Sequence, residues 1–222
     1  MWRVELHAHT LYSPDSMVSL EDFLTACRRK GLDRVAVTDH NTIEGALRLK
    51  ERAPDLIIVG EEIRTREGEV LAYFIEREIP KGLPLRETID RIREQGGVAA
   101  LPHPCDRARG SAVGQEMAEA VIPLVDAVEV FNARCVFLGD NACAAALAAR
   151  FGKPGFSGSD AHTLWELGRA WTGLPPFEDA AGFLQALRQA HPICRLSPFW
   201  VHLFSTWAKW LHPRKGAQAK LR

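Results

Sequence analysis

One pattern constrains this chain more than any other: short apolar runs that end at once in histidines or carboxylates. Val4-Glu5-Leu6 leads into His7-Ala8-His9, Val35-Ala36-Val37-Thr38 into Asp39-His40-Asn41, and 56–59 into Gly60-Glu61-Glu62. Further on, 98–101 leads through Pro102 into His103-Pro104, 127–131 into Asn132, and 156–159 into Asp160-Ala161-His162. Bounded apolar runs of this length read as buried strands. The segments between them are helical in spacing. Ser19 stands as an N-cap before Leu20, Phe23, Leu24 and Cys27, and Gly31 closes that helix. Helices are also predicted over 42–52, from Pro84 to Gly96-Gly97, and over 115–124, 138–151 and 177–190. A hairpin is predicted to turn at Glu67-Gly68 and return along 70–75, and a final strand covers 193–196. Repeated strand–helix units predict an α/β fold with a mainly parallel sheet covered by helices. A small, imperfect barrel and an open doubly wound sheet both satisfy that pattern.

In either architecture the carboxyl ends of parallel strands share one face, where ligands bind. The polar clusters are therefore expected to converge there. His7 and His9 are two apart on an extended segment and point to one side, as do Asp160 and His162. Five of the eight histidines, His7, His9, His40, His103 and His162, fall at strand ends. Any one of them alone reads as a hydrogen-bonded loop or core residue. Together with carboxylates at the same pole they predict a divalent-metal site for Zn, Mn or Fe. Crowded Asp, Glu and His side chains are costly to bury without cations.

Composition removes other classes. With 222 residues and 46% hydrophobic content, the chain is one ordinary domain with a short appendage, not a disordered one. Lys+Arg and Asp+Glu are both 28, so the surface as a whole is not built to grip a long nucleic acid. No run approaches the roughly 18 apolar residues of a membrane span, and 1–5 holds no apolar signal stretch. The five cysteines are odd in number and show no CxxC spacing, which argues against a disulfide framework and predicts a reduced, cytoplasmic setting.

Taken in order, His7-Ala8-His9-Thr10-Leu11-Tyr12-Ser13, Thr38-Asp39-His40-Asn41, Gly60-Glu61-Glu62-Ile63, His103-Pro104 and Ser159-Asp160-Ala161-His162 resemble the PHP (polymerase and histidinol phosphatase) family over about 1–196. The run 158–162 followed by Gly168-Arg169-Ala170 is similar to its small, stand-alone phosphoesterases. The resemblance implies a distorted (β/α)7 barrel with two or three metals at its carboxyl face. His7, His9, Glu62 and Asp160 would hold the first; Glu62 would bridge to a second on His103; His40, His162 and Asp15 would hold a third. Glu61 is left as a solvated or supporting neighbour. Asn132 and Cys135 are candidates to complete the second site, and for Cys135 a buried apolar role is favoured.

Such a site points to metal-dependent hydrolysis of a phosphoester, from a small phosphorylated metabolite or a nucleotide. Asp160 is expected to act as ligand and proton acceptor, and His162 as a proton donor to the leaving group. Arg107 and Arg109 follow a metal histidine and are expected to bind phosphate with their guanidinium forks; Arg134 and Arg169 are further candidates. The alternatives are an exonuclease-type phosphodiesterase on short oligonucleotides and a non-catalytic, metal-stabilised binding domain. The short link between His103-Pro104 and the next helix predicts an open, shallow site, and no obligate protein partner is expected. Over 197–222 the chain reads as an amphipathic helix with a basic tail. Trp200, Leu203, Phe204, Trp207 and Leu211 fit one face. That face is expected to cover the body; contact with a membrane surface or a second protomer is the sharper alternative.

Overall fold

The computed structural model describes residues 1–215, apart from the side chains of Leu138, Lys209 and 211–215. The chain begins β1 (Trp2–Ala8), α1 (Leu20–Arg29), β2 (Arg34–Val37), α2 (Glu44–Arg52), β3 (Ile57–Arg64) and β4 (Glu69–Tyr73). It continues α3 (Leu85–Glu94), β5 (Val98–Leu101), α4 (Gln115–Val121), β6 (Ala127–Asn132), α5 (Leu138–Arg150) and β7 (Gly155–Gly158). It ends β8 (Trp171–Leu174), α6 (Ala180–Leu187), β9 (His191–Ile193) and α7 (Val201–Lys215). No helix among the described residues is long and apolar enough to cross a membrane.

Among the described residues one sheet holds all nine strands in the order β7-β6-β5-β4-β3-β2-β1-β8-β9. β1 to β7 lie side by side in chain order, and the sheet curls until the end of β7 returns to β1. There Ala8 and Ala161 form a parallel bridge, and the His9 amide donates to the Ala161 carbonyl at 2.8 Å. The distorted seven-stranded α/β barrel that the resemblance implies is what forms, nearly closed; the open doubly wound alternative is not.

The sheet is not mainly parallel, however. β4 runs antiparallel to both β3 and β5, and β8 antiparallel to β1 and β9. The cause at β4 is the short connection: Thr65 N–H bonds the Gly68 carbonyl at 2.7 Å, closing a turn far too short for a parallel crossover. β8 has no counterpart in the sequence reading, and the last strand lies at 191–193, not 193–196.

The interior is built by alternation. Val4 and Leu6 of β1, Ile58 of β3, Leu71 and Tyr73 of β4, and Phe156 of β7 share one cluster, floored by Phe183 of α6. The opposite strand faces pack on helices: Ile63, Val70, Ala99 and Val128 meet α3 to α5, while Val35, Val37 and Ile57 meet α1 and α2. Ser19 caps α1 as expected, its hydroxyl accepting from the Asp22 amide. One cysteine expectation fails: Cys105 and Cys143 form a disulfide, because the loop after β5 folds onto α5. Cys27, Cys135 and Cys194 are free.

Candidate metal centre

Strand parity decides which side chains enter the mouth of the barrel. From Leu6, strict alternation would turn His7 outward. The β1–β2 register breaks between Glu5 and Ala8, with one extra residue on β1, and the shift sends His7 and His9 inward. β3 needs no such device: Ile58, Gly60 and Glu62 share the inner face, while Ile63 packs outside. β6 also breaks register, between Glu129 and Phe131, which admits both Glu129 and Asn132. Gly158 leaves the room they need, since a Cβ there would lie 2.7 Å from that of His7.

The convergence is tight. His7 Nε2 lies 3.3 Å from Glu62 Oε2 and 3.6 Å from Asp160 Oδ1. His9 Nε2 is 3.3 Å from each of the same two oxygens. His103 Nε2 lies 3.2 Å from Glu62 Oε1 and 3.8 Å from Glu69 Oε2. On the other flank His40 Nδ1 is 3.1 Å from Glu62 Oε2, and Asp15 sits 3.5 Å from His40 and 3.2 Å from His162. Two donors about 2.1 Å from one ion stand about 3.0–3.4 Å apart at octahedral to tetrahedral angles. His7, His9 and Asp160; His7, Glu62 and His103; His9, His40 and His162; and His40, Glu62 and Glu69 each form a group compatible with an ion.

The opposite ends of these side chains are fixed. His7 Nδ1 meets Glu129 Oε1 at 3.0 Å, and His9 Nδ1 meets Ser13 Oγ at 3.0 Å. His162 Nδ1 meets the Asp160 carbonyl at 2.8 Å. Such partners set tautomer and ring orientation in metal sites. By contrast His7 Nε2, His9 Nε2, Glu62 Oε2, Glu69 Oε2 and Asp160 Oδ1 are buried without a hydrogen bond. Buried polar atoms are rarely left so, and here they face one another. This donor set fits divalent cations.

The electrostatics agree. Burial opposes charge throughout, but Asp160, Glu129 and Glu62 outweigh it at His7 and raise its pKa well above the ordinary value. Burial is likewise outweighed at His40, which Glu62 and Asp15 push up to about 9. At His9 burial wins, helped by His162 and His40, and the ring is pushed down to about 3. Asp160 stays ionised against burial because Arg109 and His7 face it, and Glu62 because His7 and His40 do. Asp15 is held far below the carboxylate range, chiefly by His162. Protons on His7 and His40 thus stand where a cation's charge would serve.

All eight residues predicted as ligands meet at this mouth, and two more acids join them. Glu69 and Glu129 were missed by the sequence reading. The phosphate pair divides. Arg109 pairs with Asp160 and reaches Asp106 Oδ2 at 3.0 Å, beside the cluster. Arg107 does not enter it: its Nε bonds Asp140 Oδ1 at 2.7 Å, and its side chain is 67% exposed over Phe137. Glu61 is not solvated. It is fully buried on the outer face, accepts the Ile79 amide at 3.0 Å, and burial pushes its carboxyl up to about 8. Asn132 turns its amide nitrogen to Glu129 and Asp160, and its oxygen accepts from the Arg134 amide, so it presents no ligand atom. Cys135 is buried with its thiol on Asp106.

A cavity of about 470 Å³ opens over the cluster, lined by Asp15, His40, Glu69, Arg109 and His162. Its wall is completed by Arg134 and by His202, Ser205 and Thr206 of α7, so the site is more enclosed than the sequence predicts. Arg134 is buried and locked between Glu166 and Ser205. Arg169 lies elsewhere, bonded to the Leu196 carbonyl. The aromatic residues expected to cover the body face outward instead; the side chain of Leu211 and the tail from 216 lie outside what the structure describes.

Comparison with known proteins agrees with this geometry. The PHP domain profile matches residues 5–95 and the PHP-associated profile residues 139–192. The uncharacterized protein MJ1587 of Methanocaldococcus jannaschii is 39% identical over 145 residues, 59% of this chain and 82% of its own length. A second uncharacterized protein of that organism, MJ0417, is 37% identical over 175 residues, 76% and 69% of the two chains. Among solved structures, PsfC of Pseudomonas syringae PB-5123 superposes with a TM-score of 0.68 at 19% identity, covering 95% of this chain and 99% of its own. A protein of Bifidobacterium adolescentis provisionally assigned as a metal-dependent phosphoesterase gives 0.60 at 18%, covering 83% and 95%. An amidohydrolase of Chromobacterium violaceum, solved with sulfate and no metal, gives 0.63 at 16%, covering 83% and 96%. Sequence profiles at both ends of the barrel and relatives matched over most of their length place the chain in the PHP family.

Proposed function

We propose that this PHP-family protein is a metal-dependent phosphoesterase acting on a small phosphorylated metabolite or a nucleotide. The observation that carries the reading is the set of buried, unbonded donor atoms on His7, His9, Glu62 and Asp160, with Arg109 beside them at the cavity wall. His7, His9, Glu62 and Asp160 would hold one ion. Glu62, His103 and Glu69 would hold a second, and Asp15, His40 and His162 a third. A divalent ion such as Mn, Zn or Fe, held at such positions, would lower the pKa of a bound water and neutralise charge on a phosphoryl group.

The chain's own residues supply the rest. Arg109 offers a planar fork suited to phosphate oxygens, and the acids Asp160 and Asp106 hold that fork at the mouth. Asp160, whose Oδ1 lies 3.3 Å from His9 Nε2 and 3.6 Å from His7 Nε2, would serve as a ligand and as the acceptor of a proton from an attacking water. His162 lines the cavity with its Nδ1 on the Asp160 carbonyl, so a leaving oxygen would take its proton from protonated Nε2 when no third ion is held there, or from a water on that ion when one is. The wall from α7 favours a small monoester over an oligonucleotide threading across the face. The phosphoesterase assignment of the Bifidobacterium protein supports the same chemistry.

The test is turnover of p-nitrophenyl phosphate, its bis-ester, and nucleotide 3′- and 5′-phosphates by purified protein with Mn added. Metal-dependent hydrolysis, faster on monoesters and abolished in Asp160→Ala and His9→Ala, is expected. Bound metal with no turnover of any phosphoester would favour a binding role instead.

A further inference from the structure

α7 has two unlike faces. Val201, Ser205 and Ala208 are buried on the body. On the other side Trp200, Leu203, Phe204 and Trp207 are 41%, 67%, 49% and 57% exposed, around an apolar hollow of about 510 Å³. The patch continues into Trp165, 73% exposed and edge-on to Trp200 at 6.2 Å. Contiguous exposed apolar surface of this kind marks an interaction site.

The adjoining charge identifies the partner. From Ser197 onward the sequence carries Lys209, Arg214, Lys215, Lys220 and Arg222 and no Asp or Glu, which leaves the rest of the chain net acidic. An anionic surface attracts this end and repels the body, so it selects one orientation. Tryptophans beside lysine and arginine are the chemistry of the boundary between lipid headgroups and acyl chains. A two-fold dimer through the same face would instead bring two cationic segments together.

We propose that α7 docks the protein on an anionic lipid bilayer, with Trp200, Leu203, Phe204 and Trp207 entering the headgroup layer and the net positive charge of the sequence from 197 onward supplying the electrostatic attraction. Docking does not depend on the hydrolase reading. His202 and Thr206 of the same helix line the cavity, so docking also holds the candidate site near the surface.

The experiment is co-flotation of the full chain with vesicles of phosphatidylcholine alone or mixed with phosphatidylglycerol. Binding to the anionic vesicles is expected to exceed binding to neutral ones about tenfold or more, and to weaken with salt. Leu203→Ser with Trp207→Ser is expected to cut it about tenfold or more while the thermal transition and metal content stay as in the wild type. Arg214→Gln with Lys215→Gln tests the charge separately, and weaker flotation on anionic vesicles is expected. Absent flotation, equal flotation on both vesicles, or flotation unchanged in both variants would overturn the proposal. So would a dimer in sedimentation equilibrium that the Leu203/Trp207 variant dissolves, without vesicle binding.

Discussion

His103 and Asp160 both hold left-handed backbone, with φ of 29° and 51°. Non-glycine residues stay in that region only where their surroundings impose it, and such positions gather at functional sites. Here the Glu129 carboxylate accepts the His103 amide at 2.9 Å, and Glu5 accepts the Ser159 amide at 3.0 Å, one residue before Asp160. The two arginines test the residue-level account. Arg109→Ala is expected to lower kcat/KM on phosphomonoesters about a hundredfold, whereas Arg107→Ala, exposed on Asp140, should stay within about twofold. Steady-state kinetics of both variants decide it. Glu61 gives a pH prediction. Its folded pKa is raised from 4.5 to about 8, so its contribution to stability is full below pH 4.5 and is lost as pH rises through about 8. Glu61→Gln keeps an acceptor for the Ile79 amide and removes the charge. It should match the wild type near pH 4.5 and be about 1–3 kcal/mol more stable at pH 9, read by urea unfolding.

At the scale of elements, the sequence showed which strands end in candidate ligands but not how each strand is turned. Glu69 is not legible as a site residue because it stands at the amino end of its strand, not at a carboxyl end. β4 is antiparallel, so its amino end reaches the mouth, and Glu69 shares the inward parity of Leu71 and Tyr73. Glu129 is obscured because it lies inside an apolar run. A lone acid between Val128 and Val130 was itself a signal, since a strand interior tolerates one only with a partner. β8 was invisible because Trp171-Thr172-Gly173-Leu174 is four residues long with a glycine inside it. The Cys105–Cys143 bond depends on a tertiary meeting of loop and helix that spacing does not encode. Ser19, Pro84 and the Glu67-Gly68 turn carried local signals and stand where those signals placed them. Gly158 tests the close approach of β7 to β1 and β6. Gly158→Ala should displace His7, cost about 1–3 kcal/mol in chemical denaturation, and reduce bound metal.

For the whole molecule, the barrel concentrates buried acids and imidazoles at one pole. A cation that binds the folded state and not the unfolded chain stabilises the fold by mass action. Chelation should therefore lower the thermal midpoint by several degrees, and a divalent ion should restore it. Calorimetry with and without chelator reads this directly. The histidines must shed protons to ligate, so apparent metal affinity should rise with pH while His7 and His40, both raised above the ordinary value, lose theirs. The central claim is that Glu62 joins ions in a single pocket, and elemental analysis of purified wild type and Glu62→Gln, alongside phosphomonoester turnover, tests it most directly. About two to three divalent ions per wild-type chain are expected, with at least one lost and turnover down about a hundredfold or more in Glu62→Gln. Fewer than one ion in the wild type, or a Glu62→Gln protein with full metal and full turnover, would contradict the account.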